Sequence, residues 1–214
     1  MILYKTIAKE ACAEQIIEKS RFITYIKPIS TKEEGDEFIA GIKKKHRDAT
    51  HNVPCMVVGD KMQIQWASDD GEPQGTSGLP MLQMLVNREI TNVCVVVTRY
   101  FGGIKLGTGG LVRAYTSSAK LGLEAAGIKE IKELFHIKYE IDYSFLANIE
   151  NMVANFEFET ENIEYTDKVT MDIICDIENE GILKEQLRNI TSGKGKIVEE
   201  YKKMLGDNTY VTKK

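Results

Sequence analysis

The segment Val93-Cys94-Val95-Val96-Val97-Thr98 is β-branched at every position except Cys94. Branching at Cβ stiffens a side chain and favours extended backbone. A strand with one face in water alternates apolar and polar residues, and this one does not. The run therefore reads as a strand covered on both faces, with Cys94 as a small core residue. Whatever fold forms must place packed structure on either side of it.

Around this strand the first part of the chain alternates strands and helices. Residues 22–26 read as a strand ended by Pro28. Ser30 and Thr31, followed three residues later by Glu33 and Glu34, signal a capped helix. Its apolar stripe is Phe38, Ile39 and Ile42, and its basic end, Lys43-Lys44-Lys45-His46-Arg47, suits the helix dipole. Strands are expected at 53–58 and 62–67, joined by Gly59-Asp60-Lys61, then a helix near 80–88. A long helix is expected from about Leu111, stopping at Gly127. Beyond residues 129–133 the rhythm changes to strand 134–141, helix 145–155, strands 156–165 and 169–175, helix 178–190 and strand 195–204. The helix at 178–190 should bury Ile182, Leu183, Leu187 and Ile190. The order β-α-β-β-α-β is the split, ferredoxin-like arrangement. The expected division is 1–129, 130–206 and a frayed tail at 207–214.

Eight of the seventeen glycines fall between Gly71 and Gly110, in two segments. The first is Asp69-Asp70-Gly71-Glu72-Pro73-Gln74-Gly75-Thr76-Ser77-Gly78 and the second runs from Thr98 to Arg113. Glycine admits positive φ and close backbone approach, so such loops suit ligand contact. The second joins the buried strand to a helix N-terminus, where unpaired N–H groups attract anions. Gly107, Thr108, Gly109 and Gly110 would bring backbone close, and Arg99, Lys105 and Arg113 add cations. Tyr100 is the aromatic best placed to stack on a base, whereas Trp66 and Phe101 read as packing residues. The opposing reading is a tight turn whose arginines pair with Asp69, Asp70 or Glu72. Neither the P-loop pattern nor the dinucleotide glycine fingerprint is met.

The three acids could move protons or hold a metal, but no further ligand cluster accompanies them, and no metal or cofactor is expected. His51, Asp69 and Glu72 are the candidate catalytic residues should the protein be an enzyme. The structural alternatives are a C-capping imidazole for His46 and an ordinary hydrogen bond for His51. His136 has no expected role. Net charge is near +2 over residues 1–128 and −6 over 129–214. A basic patch is thus confined to the first part, and the acidic second part could dock a protein partner. Four scattered cysteines, no apolar leader and no membrane-length apolar run point to the cytoplasm.

The segment Asp69-Asp70-Gly71-Glu72-Pro73 with Gly75, Thr76 and Gly78, then VVVTRYFGGIKLGTGGLVRAY, closely resembles the YigZ/IMPACT family. His46, Ala49 and His51 fit the same pattern, while Gln74 and Ser77 stand where serine and alanine are usual. The resemblance spans nearly the whole chain. It implies an α+β protein: a β-α-β ribosomal-protein-type domain like domain IV of elongation factor G, then a ferredoxin-like domain like its domain V. It also implies a translation-associated regulator binding RNA or the ribosome, more a binding protein than an enzyme. An enzyme acting on a small phosphorylated or nucleotide substrate is the alternative. Eukaryotic relatives regulate translation through an additional N-terminal domain, and that mechanism is not carried over.

Overall fold

A computed structural model describes residues 2–156 and 158–205. The chain forms two compact units, one covering Tyr4–Glu130 and the other combining Ile2 and Leu3 with the chain from Ile131 onward. The expected tail at 207–214 lies outside the described residues.

The first unit is built on a five-stranded sheet. Its strands are β2 (Ala11–Ile17), β3 (Ser20–Pro28), β4 (His51–Val58), β5 (Ile64–Ala67) and β6 (Val93–Tyr100). Their order is β2-β3-β6-β4-β5, and every neighbouring pair is antiparallel. Because β3 and β4 both run opposite to β6, they are parallel to each other with β6 between them. Helix α1 (Lys32–Lys45) makes the crossover, so β3-α1-β4 is a split β-α-β unit. Both faces of β6 are covered. Val93, Val95 and Val97 pack with α2 (Gly78–Asn87) and α3 (Gly107–Ala126), while Cys94 and Val96 pack with Ile39 and Ile42 of α1. All five residues from 93 to 97 are fully buried. Each such side chain contributes about 1.5–3 kcal/mol of transfer free energy.

Local signals place the helices. Thr31 Oγ1 accepts from Glu34 N at 3.2 Å, and the Glu34 carboxylate reaches back to Ser30 N at 2.6 Å. Thr31 thus satisfies one orphan N–H of the first turn of α1, and Glu34 satisfies the N–H of Ser30 just before the cap. Gly127 ends α3 with φ +70°. The strands β1 (Ile2–Ile7) and β2 were not anticipated. Ala11, Ala13, Glu14 and Gln15 have little strand preference, and β2 holds its place as an edge strand paired to β3. Helix α3 begins four residues earlier than expected, taking Gly107, Thr108, Gly109 and Gly110 into its first turn.

The second unit contains β7 (Ile128–Ile141), α4 (Leu146–Asn155), β8 (Glu159–Tyr165), β9 (Val169–Asp176), α5 (Glu180–Thr191) and β10 (Lys196–Leu205). The order β10-β7-β9-β8, all antiparallel, is ferredoxin-like, and β1 also pairs with β7. Alternate residues Phe135, Ile137, Tyr139 and Ile141 of β7 and Val169, Met171, Ile173 and Cys175 of β9 form the core with α4 and α5. Leu183 and Leu187 are buried there, but Ile182 faces outward, because the buried stripe of α5 is narrower than the apolar pattern suggested. Among the described residues no helix is long and apolar enough to cross a membrane.

Helix α3 lies close on β3 because Gly122 has no side chain. A Cβ there would sit 2.5 Å from Thr24 Cγ2, and Thr24 Oγ1 bonds the Ser118 carbonyl at 2.9 Å. Gly122→Ala is expected to cost about 1–3 kcal/mol in urea denaturation through overpacking. Adding Thr24→Ser, which removes the offending methyl and keeps the hydroxyl, is expected to recover most of that loss.

Candidate functional site

At one end of the first sheet, register sets Phe22, Arg99 and His51 side by side on β3, β6 and β4. The first glycine segment folds over this end. The Asp69 carboxylate accepts from Gly75 N at 2.7 Å, Ser77 N at 3.1 Å and Gly78 N at 2.9 Å. It thereby closes the loop and caps α2, whose own N-cap Ser77 supplies no side-chain bond. Asp70 adopts φ +47° and accepts from Asn52 N at 2.6 Å, while its other oxygen pairs with Lys43. Gly71, at φ +88°, lies against the His51 ring, where a Cβ would stand 3.4 Å from Nδ1. These constraints turn Glu72 inward, leaving it only 8% exposed.

Glu72 Oε1 accepts from Arg99 Nη1 and from the Tyr115 hydroxyl, each at 2.7 Å. Arg99 is 5% exposed and its Nη2 donates to Ser20 Oγ at 3.3 Å. The rings of Phe22 and Phe101 flank the guanidinium, each 5.4 Å from its carbon. Phe101 thus packs, as expected, but on Arg99 at the surface, which it shields from outside; Trp66 is also partly exposed. Ser20 Oγ also receives Gly102 N at 3.2 Å. Gly102 is required, since a Cβ would fall 2.0 Å from the Lys19 carbonyl. Burial and the neighbouring Glu72 push the Tyr115 phenol far above its ordinary range, so it remains a donor.

The candidates thus separate. Arg99 was expected to meet phosphate, but its charge is buried and matched by Glu72. Asp69 was a candidate acid or metal ligand, but its oxygens are committed to backbone N–H groups. His51 and Glu72 do come together, with Nε2 and Oε2 3.8 Å apart. His51 Nδ1 donates to the Asp70 carbonyl at 2.8 Å, which leaves Nε2 toward the carboxylate. Tyr115 was the residue whose role sequence reasoning missed. A tyrosine on the buried face of a helix lined by Ala114, Ser118 and Ala119 needs an acceptor, and that was the available signal.

On the other face of the sheet, His46 bridges two tyrosines. Tyr100 donates to Asp48 at 3.3 Å and accepts from His46 Nδ1 at 2.9 Å, and Tyr25 donates to Nε2 at 2.7 Å. His46 closes α1 by its backbone N–H to Ile42 O, whereas its imidazole makes no cap. The Tyr100 hydroxyl is likewise committed, and burial with Asp48 raises its pKa. Burial, followed by Lys45, lowers the His46 pKa.

Lys105, Gly107, Thr108, Gly109 and Arg113 remain open to solvent. The N-cap of α3 is Leu106, which offers no side-chain acceptor. Arg113 lies in the second turn, and its side chain reaches back so that Nη1 stands 3.6 Å from where a Gly109 Cβ would be. Among the described residues neither Lys105 nor Arg113 forms an ion pair with a carboxylate.

The sequence matches the Impact N-terminal domain over residues 18–123 and a domain of unknown function, DUF1949, over residues 140–194. It is 41% identical over 210 residues to IMPACT family member YvyE of Bacillus subtilis, covering 98% of this chain and 94% of that protein. The chain belongs to the IMPACT family. IMPACT family member YigZ of Escherichia coli is 36% identical over 151 residues, covering 70% of this chain and 74% of that one. A crystal structure described as that of a hypothetical protein covers 91% of this chain and 95% of its own, with a TM-score of 0.57 at 29% identity. Both glycine-rich segments of this IMPACT-family chain lie inside the matched N-terminal domain.

Two measurements test this arrangement. Glu72→Gln leaves the buried Arg99 charge without its partner and is expected to lower unfolding free energy by about 3–5 kcal/mol. Because folding depresses the His46 pKa, its neutral form contributes stability that is complete above the unfolded value of about 6.5 and is lost as pH falls below it. Denaturation between pH 7 and pH 5 should therefore show stability falling with pH, with a shallower slope in His46→Gln.

Proposed function

We propose that this IMPACT-family protein is a translation-associated regulator that binds RNA, free or on the ribosome, through its phosphates at the start of α3. The supporting observation is the side-chain-uncapped first turn Gly107-Thr108-Gly109-Gly110, exposed at its first three residues, with Lys105 and Arg113 beside it, neither in an ion pair among the described residues. Backbone N–H groups and the helix dipole favour an anion there, and the glycines let a phosphate approach closely. A phosphate would also offset the cost of a guanidinium near the positive helix end. Arg99 and Glu72 serve this site indirectly, by fixing the Phe101–Gly102 backbone that leads into it. Tyr100, tied to His46 and Asp48, is assigned no base to stack on. The acidic second unit is unsuited to phosphate and could engage a protein partner instead.

Cosedimentation with ribosomes and RNA binding across a salt series test the reading. Lys105→Ala/Arg113→Ala should weaken binding and reduce the slope of log K against log salt by about one for each phosphate that is no longer neutralised. Lys120→Ala, on the exposed side of α3 beside Glu124, should leave it unchanged. Absence of binding at low salt, or a double variant indistinguishable from the parent, would falsify the proposal.

A further inference from the structure

Strand β10 pairs with β7 along one edge, and among the described residues no strand pairs with the other. Exposed edges invite pairing with another chain, and proteins commonly blunt them with charge. This edge carries charge, but it also exposes Ile197, Val198, Tyr201 and Met204, each between 43% and 54% accessible. The order of residues is the informative feature. From 198 to 204 it reads Val-Glu-Glu-Tyr-Lys-Lys-Met, with acids on one side of Tyr201 and bases on the other.

We infer that β10 is a self-association edge, which pairs antiparallel with β10 of a second copy of this chain about a two-fold axis at Tyr201. In that register Glu199 faces Lys203 of the second copy and Glu200 faces Lys202. Each pairing occurs twice. The faces agree as well. Glu200 and Lys202 lie opposite Ile137 and Phe135 on the helix-covered side, where they already pair with Lys184 at 3.0 Å and Glu180 at 3.4 Å. Glu199, Tyr201 and Lys203 lie on the other side, with Tyr201 stacked on His136 at 4.8 Å.

Directly opposed residues in an antiparallel pair must point to the same face, so slips by one residue in pairing are excluded. The two nearest allowed registers put Glu200 against Glu200 or Lys202 against Lys202 on the axis. Like charges directly opposite are destabilising, so one register is selected. The bulge in β10 lies between Ile197 and Glu199, outside the five residues that carry the charge pairs. The two sheets would join into one, with the helices of both copies on a common side.

Sedimentation velocity on the full chain, from micromolar to sub-millimolar, is the test. The mass should rise with concentration from 24.1 kDa toward twice that value. Glu199→Lys sets lysine against lysine at two symmetric positions and should weaken dimerisation about tenfold. Glu199→Lys/Lys203→Glu restores opposite charges and should recover it. Both side chains are exposed, and neither makes an ion pair among the described residues, so the monomer fold should be unaffected. A chain that stays monomeric throughout, a dimer indifferent to Glu199→Lys, or a double variant as weak as the single one each overturns the inference.

Discussion

The Glu72–Arg99 ion pair organises the end of the first unit. A guanidinium removed from water is tolerable only beside a carboxylate, and a carboxylate there only with donors for both charge and lone pairs. Arg99 arrives on the central strand, Glu72 on a loop, and Tyr115 on the long helix, so one oxygen of Glu72 ties three elements together. Delivering Glu72 requires the left-handed turn at Asp70 and Gly71, and holding that turn requires Asn52, Lys43 and His51. On the outer side, Ser20 shares its oxygen between Arg99 and Gly102. The shape of the loop that leads to α3 therefore depends on an ion pair that the solvent scarcely reaches.

This division of labour explains why two glycine-rich segments with opposite charge lie side by side in one protein. The acidic segment works inward. Asp69 holds backbone, Asp70 holds β4 and α1, and Glu72 neutralises Arg99. The basic segment is thereby split, with one cation consumed in the interior and two left outside.

Much of this was legible in the sequence, and the illegible parts have physical causes. The β-branched run at 93–97 could only be a strand buried on both faces, and it is. Ser30, Thr31 and Glu34 announced α1, and Gly127 announced the end of α3. The β-α-β-β-α-β order of the second unit followed from its periodicity. Strand β2 was hidden because Ala11, Ala13, Glu14 and Gln15 have little strand preference and pairing with β3 holds it extended. The start of α3 was hidden because glycine is a poor helix former, so three glycines in four residues read as loop. The fate of Arg99 could not be read at all. Whether a cation near three acids is paired or free depends on which of them the backbone aims inward, and that is settled by φ at two residues and not by composition.

The position of β6 in the sheet has a consequence for synthesis. It is the central strand, yet among the strands of its sheet it comes last in the chain. Strands β3 and β4 are not neighbours; each has one edge that only β6 covers. Until residue 100 has left the ribosome, neither can complete its hydrogen bonding, and the apolar faces meant for α2 and α3 stay uncovered. Local hairpins such as β2-β3 and β4-β5 can form early, but the sheet closes only by insertion of β6 between them. The sheet of the first unit therefore cannot close before most of that unit's own sequence has been made.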